Sequence, residues 1–464
     1  MPSHERLERA LAYADRWIAY RRWRLRVPGV QVAVRADGAL VLDAAHGVAD
    51  ASTGEALTTA HRFRIASHSK SLAAIVAMRL VDGGRLRLDD RAADHVPALA
   101  ATEAGALTVQ ELLSHGSGTT RDGDDVAHWH LERPFPDAEA LVALAERGTA
   151  RIPASAEFKY SNIGFGILGL VVEGVTGEPY ARAFARLLAE PLGLEGTLAD
   201  VDAAHAPAGA PLTAGHGALH SADERPVLAS PGTGALAAAT GALSSAAELT
   251  DALRTVGEAD VRLLSAEGRR RMRQRLWTTQ GRDGGSAGYG LGLMHREVDG
   301  RTWVGHGGAW TGQATRTLVD AERDVVVSVL TNAIDGPAEE LAVGVARIVQ
   351  AALDEPEPDA DLAMLRSFEG TYAGIWGRLD VVELGGRLLG VSPTAADPLA
   401  AVDVLEPVDE DRVRIAAATG MGSGHELAVA ERGPDGAVVR WRGAWHMESV
   451  PTVPDAAGAP STIA

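Results

Sequence analysis

Residues 4–24 repeat apolar side chains at helical spacing and predict an amphipathic helix. From Gly29 to Gly47 the period drops to two. Val30-Gln31-Val32-Ala33-Val34 alternates, Asp37-Gly38 supplies a turn, and Leu40-Val41-Leu42 returns, which predicts a hairpin. Phe63-Arg64-Ile65 is a further short strand. It leads into a helix whose apolar positions are Leu72, Ile75, Val76, Met78 and Leu80, ending at Gly83-Gly84. Residues 85 to about 250 are helical and loop-rich. Thr108-Val109-Gln110-Glu111 is a capping box, the helix Ile163–Val175 closes at Gly177, and Gly241-Ala242-Leu243-Ser244-Ser245 precedes a capped helix over 246–256. Strand character returns at Tyr289-Gly290-Leu291-Gly292. It continues through Thr302-Trp303-Val304, Thr315–Val319 and Val325–Leu330, before a helix over Ala338–Leu353. Strands at both ends of a helical middle predict one antiparallel sheet built from two separated segments, packed with helices: an α/β (α+β) sandwich with a helical subdomain.

Past this region the pattern changes again. Asp354-Glu355-Pro356-Glu357-Pro358-Asp359 predicts an acidic linker, taken over 354–365. Beyond it come short alternating strands, among them Leu379–Val382, Arg387–Leu389, Val413–Ile415, Glu426–Val429 and Val438–Trp441. They predict a small up-and-down β-barrel over 366–455. The expected division is therefore a first domain over 1–353, with its helical subdomain at 85–250, then the linker and the barrel. The tail from Pro454 is expected to be disordered.

Composition narrows the classes. At 46% hydrophobic residues, 464 residues suffice for a large core, and no apolar run is long enough to span a bilayer. The first 26 residues lack an apolar signal core, so the expected location is the cytoplasm. Cysteine is absent, which removes disulfides and thiol chemistry. A net charge of −18 argues against nucleic-acid binding and for a soluble protein, and no membrane partner is expected.

The candidate chemistry starts at Ser67-His68-Ser69-Lys70. Ser67 and Lys70 fall one helical turn apart, placing a hydroxyl beside an amine. Of 44 basic residues only Lys70 and Lys159 are lysine. An arginine stays protonated, whereas a desolvated lysine can accept a proton. Tyr160-Ser161-Asn162 lies at a helix start. Tyr160 could pass a proton to a leaving group, and Asn162 could hold a substrate carbonyl or fix Lys70. His306-Gly307-Gly308 lies on a strand, where two glycines could admit a substrate to the strand edge.

In these three stretches the chain resembles the serine β-lactamase and penicillin-binding protein superfamily, in the branch of class C β-lactamases, D,D-carboxypeptidases, D-aminopeptidases and esterases. Ser67/Lys70, Tyr160/Asn162 and His306/Gly308 match its three boxes in order. Leu112–Gly118 and Tyr289–Gly292 are similar too, and the resemblance spans residues 25–350. It implies a site between sandwich and helical subdomain, attack by Ser67 and an acyl-enzyme. It also implies an oxyanion site between the backbone N–H groups of Ser67 and Ala309. His306 stands where β-lactamases carry lysine. A partly charged histidine anchors a carboxylate less well, which favours peptidase, amidase or esterase work over β-lactam hydrolysis. No cofactor is implied, and the partner is a small-molecule or peptide substrate.

Two alternatives accompany this expectation. Domains similar to this one with a lipocalin-like barrel occur among thioesterases of penicillin-binding-protein type that macrocyclise nonribosomal peptides, for which a carrier protein would present the thioester. A non-catalytic scaffold or sensor would instead use the barrel to bind an apolar ligand or partner. Three weaker patterns have plainer explanations. Gly164–Gly169 follows a loop rather than a strand and fits tight helix packing. Gly284-Gly285-Ser286-Ala287-Gly288 lacks the strand–helix frame of a nucleophile elbow and fits a loop. His128/His130 and His216/His220 lack a supporting carboxylate motif and fit loop histidines rather than zinc ligands. Lys159, Trp129 and Trp310 are expected at the rim or in packing, Ser69 and Ser71 as ordinary helix residues, and His115 as ordering the loop at Gly116–Gly118.

Overall fold

A computed structural model describes residues 2–201, 211–220, 223–280, 286–354, 361–417 and 422–453. The linker core at 355–360, the tail from Pro454 and the glycines at 284 and 285 lie outside them. The chain forms two compact units, one over Val27–Ala342 and one combining Met1–Arg26 with Val343–Ala464. Helix α1, Pro2–Arg24, thus groups with the end of the chain, which differs from the boundary expected at 353. The cause lies in its side chains. Arg9 reaches Glu369 at 2.6 Å and Glu383 at 3.1 Å, and Trp17 is fully buried against Gly344.

The unit over Val27–Ala342 is built on a nine-stranded antiparallel sheet. Its strands from the first segment are β1 (Gly29–Ala36), β2 (Ala39–Asp50) and β3 (Glu55–Ala56). A separate two-stranded pairing joins β4 (Phe63–Arg64) to β5 (Leu243–Ser244). The second segment adds β6 (Trp277–Gln280), β7 (Ser286–Tyr289), β8 (Met294–Val298), β9 (Arg301–Ala309), β10 (Ala314–Asp320) and β11 (Val325–Thr331). The order is β3-β2-β1-β11-β10-β9-β8-β7-β6, so the two segments meet where β1 pairs with β11, Val32 opposite Val329. Strand β11 is buried at every position, which its unbroken Val325–Leu330 run foretold. Sequence patterning missed β6 and β8, and β7 ends where Tyr289 was expected to begin a strand.

Helix α2, Ser69–Asp82, is buried on nearly every face and forms the centre of this unit. Helix α3, Asn162–Thr176, starts on a Ser161 cap and ends at Gly177 in the left-handed region. Its glycine pattern is close packing: a Cβ at Gly166 would sit 2.7 Å from Leu236, and one at Gly169 3.2 Å from Ala238.

In the other unit, β12 (Gly370–Gly374), β13 (Gly377–Leu384), β14 (Arg387–Val391), β15 (Val402–Pro407), β16 (Arg412–Ala417), β17 (Leu427–Arg432), β18 (Val438–Gly443) and β19 (Met447–Ser449) close into a barrel of sequential neighbours. Phe368, Tyr372 and Trp441 are buried in its core. Phe368 stacks on Trp441 at 5.9 Å, and Tyr372 meets it edge-on at 5.8 Å. Among the described residues, no helix is long and apolar enough to cross a membrane.

Candidate active site

Strand β4 ends at Arg64, and the chain then turns sharply. Ala66 sits at φ +47°, a strained value for a residue with a Cβ. Ser69 holds that turn. Its hydroxyl donates to Ala66 O at 2.6 Å and accepts from Ala242 N at 2.9 Å. Ser71 donates to Gly292 O at 2.5 Å, tying α2 to the loop after β7. Neither serine is the ordinary helix residue expected. Just ahead of them, Ser67 lies half-buried in a 3-10 turn, Ala66–His68, immediately before α2 rather than inside it.

Lys70 is fully buried, with Nζ 3.2 Å from Ser67 Oγ. Nζ also donates to Asn162 Oδ1 at 2.7 Å and Ala239 O at 2.8 Å. Burial pulls its pKa well below the ordinary lysine value, opposed by the charge of Asp122. A neutral amine has two N–H bonds and one lone pair. Two fixed acceptors take the two hydrogens, so the lone pair is left facing Ser67 Oγ. Ala239 sits in a π-helical turn, Ala237–Gly241, a feature that no periodicity signals and that often marks a functional segment.

Asn162 Nδ2 donates to Asp122 Oδ1 at 2.5 Å, which sets its amide with the carbonyl toward Lys70. Of its two expected roles, this geometry serves the fixing of Lys70. Asp122 was missed in the sequence because it lies in an acidic loop with nothing to distinguish it from Asp124 or Asp125. Lys70 Nζ lies 4.7 Å from the centroid of the Tyr160 ring, which places the phenol in the same corner as Ser67. Burial raises the phenol pKa, so Tyr160 is protonated at neutral pH. His115 orders this corner: Nδ1 accepts from Ser161 N at 3.1 Å, and its ring lies 4.2 Å from that of Tyr160.

His306 is fully buried. Its Nδ1 donates to Gly307 O at 2.6 Å, leaving Nε2 to accept from the Tyr289 hydroxyl at 3.1 Å. Burial holds its pKa well below the usual range. The partly charged histidine expected here is therefore a neutral one with both nitrogens engaged. Gly308 is a glycine for a local reason: a Cβ there would lie 2.1 Å from Ile65 O, inside the Ser67 turn. Gly307 is half-buried and Ala309 exposed. Pairing with β8 stops at Gly305, while β10 pairs through Ala309, so residues 306–309 present one open backbone edge. His68 faces the other way, bonded to Thr315 Oγ1 at 2.8 Å and Thr317 Oγ1 at 3.0 Å, its pKa pulled down to about 3 by burial and then Arg316.

Trp310, Trp129 and Phe135 form an edge-on aromatic cluster, Trp310 lying 5.5 Å from Trp129 and 4.9 Å from Phe135. Lys159 is half-buried and donates through its backbone to His115 O. His128 joins the aromatic cluster, and His216 spends its ring on Asn332 O at 2.7 Å and Ala51 N at 3.1 Å. No group of three His, Asp or Glu among the described residues is arranged to hold a metal ion.

An antiparallel sheet with packed helices, and a Ser-x-x-Lys turn pressed against one of its strands, is the architecture of β-lactamases and penicillin-binding proteins. The chain belongs to the Beta-lactamase family, whose model matches residues 14–352. It is 39% identical over 178 residues to penicillin-binding protein 4 of Amycolatopsis lactamdurans, covering 36% of this chain and 44% of that protein. It is 31% identical over 190 residues to esterase EstB of Burkholderia gladioli, covering 36% and 46%. The matched stretch thus spans less than half the length of either relative. The crystal structure of SurE superimposes with a TM-score of 0.64 at 27% identity, over 97% of this chain and 100% of that one.

Proposed function

We propose that this chain is a serine hydrolase that forms an acyl-enzyme on Ser67 from an uncharged amide, peptide or ester. The observation that carries it is the donor arithmetic at Lys70: with Asn162 Oδ1 and Ala239 O filled, the neutral amine is aimed at Ser67 Oγ. Lys70 takes the Ser67 proton as Oγ attacks the substrate carbonyl carbon. The backbone N–H groups of Ser67 and Ala309 receive the oxyanion. Tyr160, a neutral phenol beside Ser67, donates to the leaving group and regains a proton by way of Lys70. Water then adds to the ester, with the same residues acting in reverse. A neutral, fully engaged His306 offers no cation for a substrate carboxylate, which favours acyl donors without one and disfavours efficient β-lactam hydrolysis.

The test is mass spectrometry after a fluorophosphonate probe. One adduct on the Ser67 peptide is expected; no adduct, or an adduct that persists in Ser67→Ala, sinks the reading.

Transfer of the acyl group to an amine, including macrocyclisation of a peptidyl thioester brought by a carrier protein, is the second reading. It is favoured by the barrel, whose strands from Gly370 to Ser449 lie beyond residue 352, where the family match ends.

A further inference from the structure

Two acceptors fix Lys70, and the elements that carry them meet again at a cavity that none of the chemistry above uses. Asn162 opens α3, and Ala239 lies in the π-helical turn Ala237–Gly241. About two turns along α3 from Asn162, Gly169 packs on that turn, where a Cβ would sit 3.2 Å from Ala238. Beside this contact is a cavity of about 220 Å³, lined by Gly169 and Glu173 of α3, Ala237 and Ala238 of the turn, Asp137 and Tyr180. Pockets for drug-sized molecules run upward from about 300 Å³, so this one suits something smaller.

The polar side chains of the lining have capacity to spare. Tyr180 is 6% exposed, and its buried hydroxyl meets no partner. A buried hydroxyl is ordinarily hydrogen-bonded, so this one calls for a bound partner. Glu173 takes the Tyr180 N–H on Oε1 at 2.8 Å, and Asp137 takes the Ala140 N–H on Oδ1 at 2.8 Å. Among the described residues, neither carboxylate meets a cation, whereas Asp124 and Asp125 are spent on Arg147, Arg151 and Arg133. No arginine, lysine or histidine among the described residues lines the cavity. Glu173 also sits in the last turn of α3, which holds no basic residue, so the negative end of that helix adds to the two carboxylates.

We propose that this cavity binds a small organic ammonium ion, paired with Glu173 and donating to the Tyr180 hydroxyl oxygen, with its hydrocarbon body on the glycine and alanine wall. An ammonium brings three N–H donors and a positive charge, which this lining lacks. An anion would be repelled by the two carboxylates, and a neutral molecule would gain nothing from their charge. A ligand held between α3 and the π-helical turn bears on both elements that fix Lys70, so its occupancy is felt at Ser67. That coupling rests on the proposed Ser67 chemistry; the binding does not.

The experiment is isothermal titration of the full chain with cyclohexylammonium chloride, with cyclohexanol and sodium chloride as controls. Wild type is expected to bind the ammonium at least ~10-fold more tightly than the alcohol. Tyr180→Phe, and Glu173→Gln, which keeps an acceptor for the Tyr180 N–H, should each bind it at least ~5-fold more weakly. Without ligand, Tyr180→Phe should melt at or above the wild-type temperature, because its hydroxyl has no partner to lose, and it should gain less from added ammonium. The proposal is overturned if wild type does not bind the ammonium, if the alcohol binds as well, or if both variants bind as wild type does. The coupling is read as the rate of fluorophosphonate labelling of Ser67 at saturating ammonium, expected to change at least ~5-fold in wild type and to stay constant in Tyr180→Phe. Unchanged labelling with intact binding overturns the coupling. Absence of labelling before any ammonium is added counts against the Ser67 chemistry instead, and the titration still decides the site.

Discussion

At the scale of single residues, the proposed chemistry turns on the charge state of Lys70. Ser67 and Lys70 could be paired in the sequence by their spacing, and Tyr160 and Asn162 could be added as complementary chemistry; the structure brings Lys70 to both Ser67 and Asn162. Asp122 was not legible there, since its importance comes only from touching Asn162. Its negative charge raises the Lys70 pKa against the larger effect of burial. The proposed mechanism needs neutral Lys70, so on that reading the acid limb of kcat/KM should track that pKa. Asp122→Asn keeps an acceptor for Asn162 Nδ2 and removes the charge. The limb is expected to move to lower pH, with kcat/KM on the plateau reduced by no more than ~10-fold. Asp122→Ala also releases the amide and should lose about 10- to 100-fold. Profiles of kcat/KM against pH on a p-nitrophenyl ester separate the two; a limb that stays put in Asp122→Asn would show that the charge does not reach Lys70.

At the scale of elements, the Ser67 turn and strand β9 are fitted to each other. Gly308 was read in the sequence as room for substrate, and its actual neighbour is the Ile65 carbonyl. That contact joins residues 243 positions apart, which no local pattern encodes. Gly308→Ala must push either the strand or the turn. We expect a loss of about 1–3 kcal/mol in stability and a fall in probe labelling of Ser67, read by denaturant unfolding and by adduct yield. Retention of full labelling at full stability would mean that the turn yields without cost. His68 locks the same junction through Thr315 and Thr317. Its native pKa of about 3 lies below the ordinary 6.5, so the unfolded chain binds the extra proton between those values. The stability it contributes is complete above about pH 6.5 and is lost as pH falls toward 3. His115 and His306 are depressed too and act in the same direction. Replacing His68 with Asn should therefore flatten the wild-type decline by about 1.4 kcal/mol per pH unit in this window, measured as unfolding free energy against pH. An unaltered slope would mean that His68 is protonated in the native state.

At the scale of the whole molecule, the sheet and the barrel were both readable, because period-two runs bounded by turn residues carry their own signal. The short strands β6, at the sheet edge, and β8, inside it, were not, since Trp277–Gln280 and Met294–Val298 take their conformation from neighbours in the sheet. The grouping of α1 with the barrel was equally hidden, because it rests on Arg9 and Trp17 meeting residues more than three hundred positions away. On the proposed reading, the fate of the acyl group is likewise set above the level of the boxes. Water and an amine attack the same ester, and either must give a proton to Lys70 or Tyr160. An amine attacks only when neutral, so at fixed pH acceptors of lower pKa should capture more acyl-enzyme at equal nucleophilicity. With a p-nitrophenyl ester donor, raising the concentration of an amino-acid amide should therefore divert product from acid to amide while nitrophenol release at saturating donor stays constant or rises. A rise means that deacylation limits turnover, and constancy means that acylation does. With a peptidyl thioester bearing a free N-terminal amine, macrocycle should then exceed free acid in chromatographic assays of the full chain, and by a margin that grows as pH passes the pKa of that amine. Free acid alone from the thioester, at every pH and with added amine left unacylated, would confine the chain to hydrolysis.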